Sequence, residues 1–422
     1  MTTVTLDVDQ FTLTVDQQAA LDAFQLFLVD PVETVFVLQG YSGCGKSTLI
    51  RILLDRLPAL QKTVKLINPS GRLLEPMLTA TTNKAAENLS QITGHEVRTI
   101  HAALGLRVNT DFKTGTTTLV VNRNAEIPDH KLLFIDEASY IDKVLLGHVF
   151  GRTNACKVVF IGDPAQLAPV QSTGTPVFNA NFKGAALTQV VRQAEGNPIV
   201  DLSTKFRNWV NTGEFFSFKP DDHHIQHMDR DAFNAAIEQE FTRTDWRYAD
   251  SKILAWTNKC VITYNGFVRN LAKGDPHFQV GDYAVCNNFV QSNKGSIKTD
   301  QLVQITNIGP DATELGVLGN WMTLDHYHLL FQPKSLAAKN QAIKEARARD
   351  HLQAVAVMEM KWVDLRGAYA CTINKSQGST FGSVFIDLDD ISRCTNGETI
   401  ARLLYVGVSR AKHHVYLTGD FC

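Results

Sequence analysis

The chain lacks the features that would place it outside the cell or in a membrane. Its seven cysteines include no C-x-x-C pair, so we expect neither a zinc site nor a disulfide framework. No apolar run approaches the roughly 18 residues of a membrane helix, and the start, MTTVTLDVDQ, carries acids where a secretory signal would be basic. We expect a soluble cytoplasmic protein, or one of the host cytoplasm for a phage protein, with no membrane partner.

An excess of charge is also missing. The 41 Lys and Arg nearly balance the 43 Asp and Glu, which gives a net charge of −2. No global positive field is available, so a nucleic-acid surface would have to be a local groove. With 422 residues, of which 44% are hydrophobic, the chain is long enough for roughly two to four domains.

Short β-rich runs alternate with helical stretches from Thr34 to Leu133, and another apolar run, KVVFIGD, begins at Lys157. This alternation predicts a parallel sheet covered by helices. Inside the first stretch, RVNTDFKTGTTTLVVN alternates polar and apolar residues around a turn, which predicts an inserted β-hairpin. A second α/β alternation begins at Ser251 and resumes near the end, after short strand-like pieces and a charged helical stretch.

A phosphate loop is predicted at GYSGCGKS, which fits G-x-x-x-x-G-K-[ST] between an apolar strand and a helix. Backbone N–H groups and the helix N-terminus would hold ATP phosphates, Lys46 would reach the β/γ oxygens, and the Ser47 hydroxyl would ligate Mg²⁺. The predicted nucleotide-binding residues of this loop are Gly40, Gly43, Cys44, Gly45, Lys46, Ser47 and Thr48.

A carboxylate pair follows a second apolar strand, in LLFIDEAS. Asp136 would hold the Mg²⁺ and Glu137 would polarise the attacking water. Hydrolysis also needs positive charge at the γ-phosphate, for which Arg192 and Arg410 are candidates, and Gln166 could sense that phosphate. A solvated arginine or a plain loop glutamine is the alternative reading at these three positions.

Together these segments resemble the superfamily 1B helicases of the RecD and Dda group, above all the Dda type of phages. The resemblance covers nearly the whole chain in family order: LTVDQQAAL (Q motif), GYSGCGKST (I), LTATTNKAAENL (Ia), TIHAALGL (Ib), LLFIDEAS (II), GDPAQLAPV (III), LTQVVRQ (IV), WTNKCVITYN (the next motif), TINKSQGSTF (V) and LLYVGVSRAK (VI).

The resemblance implies an α/β fold with two tandem RecA-like P-loop domains with parallel sheets, an inserted β-hairpin and a small SH3-like all-β insertion. The boundaries we expect are 1–105 with 128–191 for the first RecA-like domain and its ATP site, 106–127 for the hairpin, 192–274 with 355–422 for the second RecA-like domain, and 275–354 for the β-rich insertion with a helical extension.

Roles at the sites are implied in the same way. Gln17 would read adenine, Tyr405 would lie beside the nucleotide, and Arg192 and Arg410 would contact the γ-phosphate, while Gln166 would couple its state to the grip on DNA. The residues expected to contact DNA are Thr81, Thr82, Asn83, Thr99, His101, Asn258, Asn374, Lys375, Ser379 and Thr380. From the position of the hairpin, between motif Ib and LLFIDEAS, we expect Phe112 and Lys113 at its tip to act as a wedge on duplex DNA. The alternative is a plain surface hairpin with Phe112 packed onto the domain. The group usually has histidine at Asn83 and Asn374, so the ring and its possible charge are missing there.

The expected activity is that of an ATP-dependent DNA helicase, which translocates 5′ to 3′ on single-stranded DNA and unwinds duplex DNA in replication, recombination or repair. Expected partners are single-stranded, duplex and forked DNA, with single-stranded-DNA-binding or replication proteins, and we expect a monomer. The alternatives are a P-loop phosphotransferase and a non-catalytic DNA-binding subunit with a helicase fold.

Other conspicuous residues receive plain structural interpretations. His223, His224 and His227 lie in a polar loop without nearby cysteine, so we expect no metal there. Trp256 and Phe289 could stack on bases, but we expect both side chains to be buried.

Overall fold

The computed structural model describes residues 13–69, 72–110, 117–122, 124–168, 174–189, 196–275 and 277–420. The chain divides into two compact units. Met1–Arg107 with Val120–Val200 forms the first unit, and Val108–Leu119 with Asp201–Cys422 forms the second. Among the described residues, no helix is both long enough and apolar enough to cross a membrane.

The described strands before residue 190 are β1 (Val35–Gly40), β2 (Glu75–Ala80), β3 (Val97–Thr99), β4 (Leu106–Thr110), β5 (Thr117–Val121), β6 (Lys131–Asp136), β7 (Lys157–Gly162) and β8 (Gly184–Leu187). The helices are α1 (Val15–Val29), α2 (Lys46–Ile67), α3 (Asn83–Thr93), α4 (Ile100–Ala103), α5 (Lys143–Gly151) and α6 (Pro176–Asn179), with a 3₁₀ turn at Ala138–Tyr140.

The first unit is built on a 6-stranded sheet in the order β3-β2-β6-β7-β1-β8, and its neighbouring strands are parallel. Its central strands are buried on both faces, as expected for a parallel sheet between helices. Phe36 and Leu38 pack in one core with α1 and α2, while Val35 and Val37 pack in the core on the other face.

The predicted hairpin segment contains β4 and β5, which form a two-stranded sheet of their own. The tip of that segment, with Phe112 and Lys113, lies outside the described residues.

The described strands after residue 196 are β9 (Ile225–Met228), β10 (Ser251–Ala255), β11 (Tyr283–Cys286), β12 (Val290–Ser292), β13 (Gly295–Ile297), β14 (Leu302–Glu314), β15 (Val317–Leu324), β16 (His328–Pro333), β17 (Leu365–Gly367), β18 (Ala370–Thr372), β19 (Phe381–Asp387) and β20 (Ala411–Thr418). The helices are α7 (Pro198–Thr212), α8 (Arg230–Phe241), α9 (Asn258–Lys273), α10 (Leu336–Ala348), α11 (Leu352–Met360), α12 (Ile373–Ser376), α13 (Leu388–Ile391) and α14 (Gly397–Val408).

The second unit contains a 5-stranded parallel sheet in the order β18-β10-β19-β20-β9. With the sheet of the first unit, it confirms the predicted α/β class with parallel sheets. The strand order places β19 at the centre, where its residues from Ser383 to Asp387 are all buried.

The second unit also contains a 5-stranded antiparallel sheet in the order β16-β15-β14-β11-β17, called the small sheet below. It lies where an all-β insertion is predicted, and α10 and α11 contribute Ile343, Val355 and Met358 to a core with Phe331. The small sheet reaches beyond residue 354, because β17 completes its edge by pairing with β11. Its likeness to the SH3 fold stays a prediction.

Candidate active site

The glycine-rich loop lies between the end of β1 and the start of α2. Gly43 and Gly45 have φ of 83° and 82°, in the left-handed region that side chains disfavour, so the loop can turn its N–H groups inward. The Lys46 ammonium donates to the carbonyl oxygens of Gly40 at 2.7 Å and Tyr41 at 3.0 Å. Ser47 and Thr48 follow in the first turn of α2. This is the strand, loop and helix arrangement that a phosphate loop requires.

Gln17 is held against this loop by both ends of its amide. Its oxygen accepts from the Thr14 N–H at 3.1 Å in a capping box that starts α1, and its nitrogen donates to the Cys44 carbonyl at 3.4 Å. The contact is close enough that a Cβ on Gly45 would lie 2.7 Å from the same nitrogen. The residue predicted to read adenine is therefore positioned by the phosphate loop itself.

Asp16, the neighbour of Gln17, ties α1 to the chain after β8. One carboxylate oxygen accepts from the Thr188 N–H at 2.7 Å, the Thr188 hydroxyl at 2.6 Å and the Gln189 N–H at 3.0 Å. These bonds, first of all the one from the hydroxyl, lower the pKa of Asp16. The segment that they fix leads to Arg192, which lies outside the described residues.

The carboxylate pair lies at the carboxyl end of β6. Burial raises the pKa of Asp136, whereas the bond from the Glu137 N–H and the charge of Lys46 lower it. Glu137 has φ 54° and ψ 45°, a conformation that is uncommon outside glycine and that clusters at functional sites. Thr81, directly after β2, supports it, because its hydroxyl donates to the Glu137 carbonyl at 3.2 Å and its N–H donates to the Asp136 carbonyl at 3.2 Å.

Gln166 belongs to the turn that follows β7. Its side chain is buried, and its N–H donates to the Asp163 carbonyl at 3.2 Å. Since β6, β7 and β1 are consecutive parallel strands, the carboxylate pair, the Gln166 turn and the phosphate loop follow the same edge of one sheet. This edge is where open parallel sheets bind their ligands.

In the second unit, Arg410 is buried between α14 and β20, with 4% of its surface exposed. Its guanidinium donates to the carbonyls of Val406 at 3.1 Å and Ser379 at 3.2 Å, and to the Ser409 hydroxyl at 2.8 Å. Tyr405 is also buried, within α14. Arg410 therefore supports the backbone of another predicted site residue.

Two threonines of the predicted DNA contacts, Thr82 and Thr99, begin helices. Thr82 and Thr99 accept the N–H groups of Ala85 at 3.1 Å and Ala102 at 3.2 Å as N-caps of α3 and α4. A capping hydroxyl keeps its own proton, so it can still donate to a phosphate. The next residue is Asn83 in α3, and Asn258 takes the same place in α9; both are exposed and each is followed by lysine.

Two further DNA candidates have informative surroundings. Burial lowers the pKa of His101, so its imidazole is neutral at neutral pH and offers a hydrogen bond rather than a charge. The Ser379 hydroxyl is buried and has no hydrogen-bond partner among the described residues. Thr380 and Asn374, in the same motif, are half-buried.

Some interpretations concern residues outside this edge. No group of three or more metal-ligating side chains occurs in the described part of the chain, the histidines at 223, 224 and 227 included. The expectation that Phe289 is buried was wrong, since 47% of it is exposed beside β12, and Trp256 is half-buried. Sequence reasoning also missed Asp16, whose only signal is its place before Gln17 in the Q motif.

Comparison with known proteins gives concordant results. Residues 12–230, more than half of the chain, match the AAA domain family, and residues 367–418 match the UvrD-like helicase C-terminal domain. The chain is 32% identical to the ATP-dependent RecD2 DNA helicase of Deinococcus radiodurans, over 40% of this chain and 21% of that protein. It is 27% identical to the ATP-dependent DNA helicase dda of Enterobacteria phage T4, over 59% of this chain and 55% of that protein.

Both alignments thus span less than two thirds of the relative's own length. Among solved structures, the Pif1 helicase from Bacteroides in complex with ADP-AlF3 and ssDNA has a similar fold. Its TM-score is 0.50 at 16% identity, over 98% of this chain and 94% of that one.

Proposed function

We propose, from the premise that this chain belongs to the superfamily 1B helicases of the RecD, Dda and Pif1 type, that it is an ATP-dependent DNA helicase moving 5′ to 3′ on single-stranded DNA. The observation that carries the proposal is the common sheet edge of β1, β6 and β7. A phosphate loop, a carboxylate pair and a buried glutamine lie along this edge, which is the set of groups that ATP hydrolysis uses.

At this edge we assign the nucleotide chemistry to the chain's own residues. The loop N–H groups and Lys46 bind the phosphates, Gln17 meets the base, and Glu137 accepts the proton of the attacking water. Gln166, in the turn after the neighbouring strand β7, reports the γ-phosphate. Arg192 and Arg410 are the proposed sources of positive charge for the departing phosphate.

Magnesium suits the oxygen donors of the site. The Ser47 hydroxyl and the Asp136 carboxylate are hard ligands, and Mg²⁺ on a nucleotide needs only one or two protein oxygens besides the phosphates. When bound, the ion would neutralise charge on the β and γ oxygens. Ser47 and Asp136 are the residues that would hold it.

For DNA we propose contacts to phosphates through hydroxyl and amide groups, which hold a strand without reading its sequence. The proposed contacts are Thr81, Thr82, Asn83, Thr99, His101, Asn258, Asn374, Ser379 and Thr380. The exposed amides of Asn83 and Asn258 and the buried Ser379 hydroxyl support this assignment. Phe112 and Lys113 keep their proposed role as a strand-separating wedge.

The relatives guide the choice of substrate. The RecD2 and dda proteins are DNA helicases, and the Pif1 structure contains single-stranded DNA. We therefore propose single-stranded and forked DNA as partners of a monomer in the cytoplasm, with single-stranded-DNA-binding or replication proteins as further partners.

A strand-displacement assay on duplexes with a 5′ or a 3′ single-stranded tail tests the proposal. We expect ATP hydrolysis that single-stranded DNA stimulates, and strand separation only with the 5′ tail. Separation only with the 3′ tail would reverse the direction and keep the helicase. Hydrolysis without any effect of DNA, together with phosphate transfer to a small acceptor, would instead identify a phosphotransferase.

A further inference from the structure

The motif V segment, residues 372–380, is held in shape by hydrogen bonds among its own residues. Thr372 caps α12 by accepting the Lys375 N–H at 3.3 Å, the Ser376 hydroxyl donates to the Ile373 carbonyl at 2.7 Å, and the Ser379 N–H donates to the Ser376 carbonyl at 2.9 Å. Such a compact piece transmits displacement from one end to the other, because packed elements move as units.

One end of the segment is attached to Arg410. The guanidinium donates to the Ser379 carbonyl at 3.2 Å, and both residues are buried. A buried guanidinium bound to backbone carbonyls cannot change its position without changing those bonds. Any movement of Arg410 towards or away from a γ-phosphate therefore acts on residue 379.

Nearer its start, at Lys375, the segment is attached to the small sheet. The Lys375 ammonium donates to the Asn287 side-chain oxygen at 2.6 Å and pairs with the Asp300 carboxylate at 2.8 Å. Asn287 follows β11, and its N–H and amide nitrogen donate to the Asp364 carbonyl and carboxylate, both at 2.8 Å. Asp300 precedes β14, and its N–H donates to the Cys286 carbonyl at 2.7 Å. The two partners of Lys375 are thus bound to the backbone beside strands of the small sheet.

These contacts leave Lys375 poorly suited to bind a DNA phosphate. Two of its three N–H donors are committed, and the nearby carboxylate compensates its charge. The predicted DNA contact at this residue therefore competes with an ion pair that the chain already supplies. The two side chains are 32% and 36% exposed, so added salt weakens the ion pair.

We propose that Lys375 is a positioning residue, the last member of a relay from Arg410 through the motif V segment to Asp300 and the small sheet. The relay rests on the proposed function. It adds a connection between the ATP-dependent movement of Arg410 and the small sheet. ATP state moves Arg410, Arg410 moves residue 379, and Lys375 carries the displacement to the small sheet. Without the ion pair, hydrolysis continues but less of it is converted into strand separation.

The test compares strand separation per ATP hydrolysed in the wild type and in Asp300→Ala. We expect DNA-free hydrolysis to be unchanged and the coupling ratio to fall roughly 2- to 30-fold, the range of measured couplings through such networks. Lys334→Met is the matched control. It removes the lysine of another exposed pair, Lys334 with Asp311 at 2.6 Å, which lies on the small sheet away from motif V. The control should keep the wild-type ratio.

A charge exchange, Lys375→Asp with Asp300→Lys, gives the decisive comparison. Each single change should lower the coupling ratio, and the double change should restore most of it, because the pair is rebuilt with reversed sign. A double variant whose coupling ratio is no higher than that of Lys375→Asp alone would overturn the relay.

Salt dependence of binding to single-stranded DNA separates the two roles of Lys375. We expect Lys375→Met to leave the slope of log affinity against log salt unchanged. A slope reduced by about 0.7, the value for one lost phosphate contact, would show that the lysine binds DNA and would also overturn the relay. A wild-type protein without DNA-stimulated hydrolysis would refute the proposed function itself, so the two failures are distinguishable.

Discussion

The junction between a strand and the following helix differs between the two parallel sheets of this molecule. After β1, glycines at 43 and 45 keep a loop open before α2. After β10, the corresponding junction is closed by Asp390, whose carboxylate accepts the N–H groups of Trp256 and Thr257, both at 2.8 Å, and the Thr257 hydroxyl at 2.6 Å.

Backbone N–H groups at such a junction attract an anion. In the second unit, the chain supplies that anion itself as Asp390, which is 3% exposed. In the first unit, the loop can receive a phosphate. The comparison teaches that two units of the same α/β layout can differ in whether the chain itself occupies the N–H groups at such a junction. The difference lies in which group satisfies the N–H donors between the strand and the helix.

The largest effect should come from breaking the open junction. Lys46→Ala should abolish DNA-stimulated hydrolysis, because the γ-phosphate loses its main cation. Glu137→Gln should bind ATP but turn over slowly, since it removes only the base. Steady-state hydrolysis and equilibrium nucleotide binding measure the two effects. Near-normal turnover in Glu137→Gln would remove that residue from the base role.

The second prediction concerns Arg410, the proposed γ-phosphate contact of the second unit. Arg410→Ala should lower turnover about 10³-fold, as for arginine fingers generally, while nucleotide affinity changes much less. Arg410→Lys is the matched control, because it keeps the charge but not the planar group of donors. Circular dichroism must show that both variants fold. Affinity and rate that fall in proportion would mark Arg410 as a ground-state contact.

The closed junction can be tested by removing its internal anion. Asp390→Ala leaves the N–H groups of Trp256 and Thr257 without an acceptor, so the free energy of unfolding should fall by roughly 1–3 kcal/mol. Asp389→Ala, next to it, removes an exposed partner of Arg230 and should cost about 1 kcal/mol or less. Chemical denaturation measures both. Equal losses, or a loss of ATP affinity in Asp390→Ala, would contradict the comparison.

Much of the open junction was predictable, because its chemistry is local in sequence. The loop from Gly40 to Ser47 and the pair Asp136 and Glu137 are contiguous motifs after apolar strands. Their placement on one sheet edge follows from the topology of parallel strands. The α/β class follows from the same alternation, and it is confirmed.

The supporting contacts could not be predicted, because their partners are distant in sequence. Asp16 meets Thr188 across 172 residues, and Asp390 meets Trp256 across 134. The partner of Lys375, Asp300, is likewise distant in sequence, in the turn before β14. A carboxylate carries no local sign of which N–H group it will satisfy. In a single sequence, these residues look like ordinary surface charges.

The smallest effect should come from Asp16, which adjusts the open junction without touching the phosphate loop. Asp16→Asn weakens three hydrogen bonds to Thr188 and Gln189, so kcat should fall roughly 3- to 10-fold through misplacement of the segment leading to Arg192. KM for ATP should change little, because Gln17 keeps its contact with Cys44. Thr188→Val removes one of the three bonds and should give an intermediate value.

The pH dependence of the free energy of unfolding tests whether the ionised Asp16 stabilises the fold. The pKa of Asp16 is lower in the folded protein than in the unfolded chain, where it is about 3.9. The contact therefore contributes its full stability above that value and loses it as pH falls through the lower folded pKa. Denaturation of wild type and Asp16→Asn should differ by a constant amount from about pH 5 to 8, and the difference should shrink in acid. A difference that grows in acid, or a kcat equal to that of the wild type, would show that Asp16 does not hold the segment.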